Sequence, residues 1–134
     1  MQEEFFEEDK NLSASETLIM KTIWDIGGDV PLGQLIDTLN TKYEKDYART
    51  TVATFLTKLA AKGFVRSYRK GKLSFIRVLK TEEDYRDKLM QEHMDFWFNG
   101  SGKNMVAALC KIRNVPEDKI AEIRGILDGL DDMD

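Results

Sequence analysis

Apolar positions recur at helical spacing over most of the chain and alternate with polar ones in a short central stretch. Ser13-Ala14-Ser15-Glu16 has the spacing of a capping box. Leu18, Ile19, Ile23 and Ile26 follow at helical intervals, with Trp24 beside them, until Gly27-Gly28 ends the run. Pro31 suits a first helical turn, and Leu32, Leu35, Ile36 and Leu39 form the stripe of a second helix. A third helix is predicted from about Arg49 to Lys62, with Val52, Phe55, Leu56 and Leu59 inward and Gly63 just past its end. Two β-like runs come next, 64–69 and 73–79, joined by a Lys70-Gly71-Lys72 turn. Thr81-Glu82-Glu83-Asp84 signals a further helix running to Phe98, and Asn99-Gly100-Ser101-Gly102 breaks it. A short helix bearing Met105, Val106, Leu109 and Ile112 follows, then a last one opened by Pro116-Glu117-Asp118.

The expected fold is therefore mainly α with a small β-hairpin: a winged helix-turn-helix domain followed by a helical dimerisation arm. The corresponding layout is a mobile acidic leader at 1–11, a DNA-binding domain at 12–80 and a dimerisation region at 81–134.

Charge sharpens this picture. The chain has a net charge of -4, which on its own speaks against a polyanionic partner. Between Lys42 and Lys80, however, eleven basic residues meet only two acids, Glu44 and Asp46, for a local +9 against -13 elsewhere. That segment coincides with the third helix and the hairpin. A B-DNA major groove admits one helix, whose outward residues reach base edges and phosphates. Arg49, Thr50, Thr51, Thr54 and Lys58 are the candidates on the helix, where threonine hydroxyls can donate to phosphates and threonine methyls can pack on thymine. Arg69, Lys70 and Lys72 on the hairpin would neutralise flanking phosphates. A threonine-rich surface or a Lys-Gly-Lys turn is ordinary by itself; the coincidence of charge, helix order and hairpin carries the reading.

The stretch from Ala48 to Val65 resembles the penicillinase-repressor family (BlaI/MecI/CopY) of winged-helix transcriptional regulators. Thr51, Val52, Thr54, Leu56, Lys58, Leu59, Lys62 and Gly63 meet the family's recognition-helix pattern, and Leu12 to Glu16 with Ile23-Trp24 resemble its first helix. The resemblance implies a sequence-specific repressor that binds a palindromic double-stranded DNA operator as a homodimer. It also implies, as a further partner, a signalling protease that inactivates the repressor. The cysteine-rich tail of copper-responsive members is missing from Leu127 to Asp134.

The apolar stripes after residue 80 need a partner surface, and a two-fold mate is the commonest. Leu89, Phe96, Met105, Val106, Leu109, Ile120, Ile123, Ile126, Leu127 and Leu130 are the candidate dimer-interface residues. No catalytic motif, metal-ligand pattern or cofactor loop stands out. His93 is the sole histidine and Cys110 the sole cysteine, the latter reading as a small buried hydrophobe. The expectation is a cytoplasmic non-enzyme with no metal, no cofactor and no membrane insertion. A winged-helix protein–protein adaptor and a non-specific architectural DNA-binding protein are the alternatives.

Overall fold

A computed structural model describes residues 11–129. The expectations for the acidic leader, for Leu130 and for the acidic tail fall on residues 1–10 and 130–134, outside the described residues. The described chain forms two compact units, one reaching Arg86 and the other starting at Asp87.

In the first unit, α1 (Ala14–Ile26) begins with the full capping box. The Ser13 hydroxyl accepts from the Glu16 N–H, and Glu16 Oε1 accepts from the Ser13 N–H at 2.8 Å. Gly27, at φ 81°, ends the helix. A two-residue strand, β1 (Val30–Pro31), then leads into α2 (Leu32–Lys42). The sequence pattern places Pro31 inside the helix; it stands instead at the N-cap, paired with Phe75 on the edge of a sheet. An edge strand accepts proline because the missing N–H would face outward.

Asn40 shapes the turn after α2, donating to the Tyr47 carbonyl and accepting from the Tyr47 N–H at 2.8 Å. The third helix, α3 (Arg49–Ala61), ends in a Schellman motif. The Phe64 N–H bonds to the Leu59 carbonyl and the Gly63 N–H to that of Ala60, with Gly63 at φ 83°. Strands β2 (Val65–Lys70) and β3 (Leu73–Val78) complete an antiparallel sheet of order β1-β3-β2. Lys70 pairs with Leu73, so the expected three-residue turn shortens to Gly71-Lys72, with Gly71 at φ 65°. A glycine in the first loop position is what tight primed hairpins favour.

Helix stripes and inner strand faces close one core. Ile19, Met20, Ile23, Leu35, Leu39, Val52, Leu59, Phe64 and Ile76 are buried within it. At its edge the Trp24 indole donates to the Lys80 carbonyl at 2.9 Å, and Phe64 meets Tyr85 edge-on at 5.1 Å. Tyr85 lies in the first turns of α4 (Glu82–Phe98), and its hydroxyl accepts from the Leu12 N–H.

Glu16 is buried yet charged. Its Oε1 also accepts from Lys62 Nζ at 2.6 Å, tying the start of α1 to the end of α3. Burial pushes this carboxyl up, but the hydrogen bonds from Lys62 and Ser13, with the Lys62 charge, outweigh it and hold the carboxyl below its ordinary value. A carboxyl depressed in the folded state stabilises fully above its unfolded pKa and loses that contribution as pH falls through the folded one. Urea unfolding from pH 7 to pH 3 is therefore expected to show stability falling below about pH 4.5. In Glu16→Gln this acid-dependent loss should shrink, and stability at pH 7 should drop by about 1–2 kcal/mol. Acid limbs that superimpose would show that the pair does not contribute.

In the second unit, the rest of α4 is followed by α5 (Gly102–Ile112) and α6 (Glu117–Leu127). Ser101 caps α5 by accepting from the Asn104 N–H, and Asn114 at φ 53° turns the chain after it. Helices α5 and α6 flank a cleft of about 480 Å³, with Cys110 and Leu127 buried in its wall.

Candidate nucleic-acid interface

The local sequence at the start of α3 works against helix stability. Ala48 at the N-cap offers no side-chain acceptor, the first turn has no acid, and Arg49 places positive charge at the positive end of the helix dipole. Three threonines of modest helix propensity sit in the next turns. Local choices that cost stability without a packing return mark functional surfaces.

Val52, Leu56 and Leu59 anchor the inner face of α3, with Phe55 half-buried 6.1 Å from Tyr47. The opposite face is solvent-facing, and Arg49, Thr50, Thr51, Thr54 and Lys58 all lie exposed there. The Thr54 hydroxyl donates to the Thr50 carbonyl at 3.0 Å, which spends its proton inside the helix. Thr54 therefore presents a methyl group and acceptor lone pairs outward, not the donor read from sequence. Thr57 does the same with Ala53. On the hairpin, Arg69, Lys70 and Lys72 are exposed at or beside the tip, and Arg69 Nη2 reaches the Lys72 carbonyl at 3.5 Å.

The basic segment divides into two groups that charge counting merges. Lys62 is consumed by Glu16, Arg77 bonds Asp29 at 3.0 Å, and Lys42 lies 3.8 Å from Asp25. These acids all lie upstream of the basic window, so one-dimensional counting misses the pairing. Lys80 lies over the Phe64 ring at 4.4 Å. The cations on the outer face of α3 and at the hairpin tip are unaffected: among the described residues no acid pairs with Arg49, Lys58, Arg69, Lys70 or Lys72. Lys45, in the loop before α3, and Arg66, near the foot of β2, are exposed cations outside those two places.

The candidate dimer residues divide by burial. Leu89, Phe96, Met105, Val106, Ile120 and Ile123 are half-buried, and Leu127 is buried against its own unit. Leu109 and Ile126 are 53% and 77% exposed. Ile112, which belongs to the apolar stripe of α5, and Trp97 are comparably open, at 73% and 65%, and stand outside the candidate dimer residues. His93 Nδ1 accepts from the Trp97 indole at 3.2 Å.

Three helices, a three-stranded sheet and a basic wing beside an exposed third helix define a winged-helix DNA-binding protein, of the kind that regulates transcription. Residues 12–129 match the penicillinase repressor family, and the chain belongs to it. It is similar to the methicillin resistance regulatory protein MecI of Staphylococcus aureus (strain N315) and of Staphylococcus epidermidis. With each it shares 24% identity over 116 residues, covering 87% of this chain and 92% of the relative. The MecI protein of Mammaliicoccus sciuri is 23% identical over the same shares. The solution structure of the DNA-binding domain of the repressor BlaI aligns with a TM-score of 0.48 at 24% identity, covering 57% of this chain and 89% of that one. No helix among the described residues is long and apolar enough to cross a membrane.

Proposed function

We propose that this protein represses transcription as a cytoplasmic homodimer on a palindromic operator. On this reading α3 lies in the major groove, with Arg49, Thr50, Thr51, Thr54 and Lys58 facing DNA. Arg69, Lys70 and Lys72 of the wing hold the flanking phosphate backbone. The observation that carries it is that five exposed cations without a salt-bridge partner among the described residues, Arg49, Lys58, Arg69, Lys70 and Lys72, lie on the outer face of α3 and at the hairpin tip, while Lys42, Lys62 and Arg77 are paired with acids.

The dimer is proposed through the second unit, around exposed Leu109, Ile112 and Ile126 on α5 and α6. Large apolar side chains held this open to water call for a covering surface. Two-fold pairing would present two recognition helices to two half-sites. A signalling protease that inactivates the repressor is part of the same reading, supported by family membership.

Selection of preferred duplexes from a random pool, followed by fluorescence anisotropy across salt concentrations, tests the proposal. Log affinity should fall linearly with log salt, by about 0.9 per phosphate neutralised, and the selected duplex should beat random sequence. Equal affinity for both would indicate architectural binding, and no affinity at low salt would leave the protein-adaptor reading. Sedimentation equilibrium should return a dimer.

A further inference from the structure

One exposed carboxylate holds both long strands of the wing. Asp29 Oδ2 accepts from Arg77 Nη2 at 3.0 Å and from the Tyr68 hydroxyl, while Oδ1 accepts from Arg77 Nε at 3.4 Å. Tyr68 belongs to β2 and Arg77 to β3. The Arg77 guanidinium lies 5.1 Å from the centre of the Tyr68 ring, and that ring stacks on Phe75 at 5.5 Å and 16°. Val30 pairs with Ile76, which sets Asp29, one residue before β1, beside Arg77.

The wing needs such a hold. Its base is fixed by buried Val65 and Ile76, but Ser67, Arg69, Lys70, Lys72 and Leu73 are exposed, so the core does not grip the outer half. A two-stranded ribbon is marginally stable by itself. The pairing with β1 reaches only to Phe75. Outward of Ile76 the ribbon is held by the Tyr68–Phe75 stack and the Tyr68 bond to Asp29, and Arg77, one residue nearer the foot of β3, anchors that carboxylate. Arg77 Nε and Nη2 are occupied by Asp29, which makes this arginine part of the wing's scaffold.

We propose that Asp29 is a positioning residue for DNA binding, latching the wing so that Lys70 and Lys72 are presented at a fixed place beside α3. This rests on the reading that the wing tip contacts phosphate. An exposed ion pair adds little to global stability. A wing that swings freely must, however, be ordered when DNA binds, and that ordering is subtracted from affinity. The Arg77 and Tyr68 hydrogen bonds hold the Asp29 carboxyl below its ordinary value, so the latch is charged at neutral pH.

A double-mutant cycle tests the latch, using anisotropy with a duplex selected by the wild-type protein. Asp29→Asn, which keeps the side-chain size, is expected to weaken binding about three- to tenfold when the tip is intact. Once Lys70→Ala and Lys72→Ala are in place, the same change should cost less than about twofold. Removing a carboxylate also relieves repulsion from DNA, but that relief acts in both backgrounds and cancels in the cycle. Asp29→Ala should show the same dependence on the tip, with thermal unfolding within a few degrees of wild type. Equal effects in both backgrounds, whether from lost folding or from charge alone, would overturn the latch, as would no effect or tighter binding. Wild-type protein that selects no duplex would instead sink the function on which the latch depends.

Discussion

Replacing Phe64 by alanine is expected to destabilise the winged-helix unit by about 3–5 kcal/mol. The residue is fully buried and sits where four elements meet. Its N–H closes the end of α3 on the Leu59 carbonyl, and its own carbonyl accepts from Leu79 just after β3. Its ring packs edge-on against Tyr85 of α4 and lies 6.5 Å from Trp24 of α1. Alanine would keep the backbone bonds and leave a ring-sized cavity in their midst. Small domains have total stabilities of about 5–15 kcal/mol, so a loss of this size unfolds a large fraction of molecules on modest warming. Urea unfolding followed by circular dichroism measures it, and a loss below about 1 kcal/mol would show that the site collapses around the smaller residue. DNA affinity per folded molecule should be unchanged, because Phe64 lies inside the core.

Arg49→Ala is expected to do the reverse, leaving stability intact while weakening operator binding by about 1–3 kcal/mol, roughly 5- to 150-fold in Kd. Arg49 is the first residue of α3, exposed, and without an acid partner among the described residues. Its removal also relieves a cation at the positive end of the helix dipole, so folding stability should hold or rise slightly. The manner of the loss identifies the contact. If the guanidinium reads a guanine through two parallel hydrogen bonds, discrimination relaxes at one base position. If it holds a phosphate, affinity drops equally across sequences and the salt slope shallows by about 1. Unchanged affinity on selected and random duplexes alike would remove Arg49 from the interface.

These two residues differ in how visible their roles are in the sequence. Arg49 is legible because the run Arg49-Thr50-Thr51 is odd for a helix start and lies in a cationic segment. Phe64 reads only as an apolar residue opening a strand; its place at the junction of α1, α3 and α4 comes from long-range packing. The same holds for Asp29. Beside Gly28 it reads as a loop acid, and nothing in the linear order connects it with Arg77, 48 residues away. Strand β1 went unseen because two residues are too few to show alternation, and Pro31 is an equally good helix opener.

By itself the sequence determined the order of helices and strands, through apolar periodicity, the Ser13–Glu16 capping box and glycines at helix ends. Those signals act between residues a few positions apart and need no knowledge of the fold. It also determined where positive charge is concentrated and, through the motif from Thr51 to Gly63, the family. Tertiary structure alone decided which cations face outward and which are consumed. Lys62 and Arg77 count toward the cationic segment, yet Glu16 and Asp29 claim them from distant parts of the chain. Charge can be counted along a sequence, but a salt bridge depends on separation in space. Of the eleven cations in the +9 segment, Lys42, Lys62 and Arg77 are thus paired with acids, and those of α3 and the wing tip stay open to solvent.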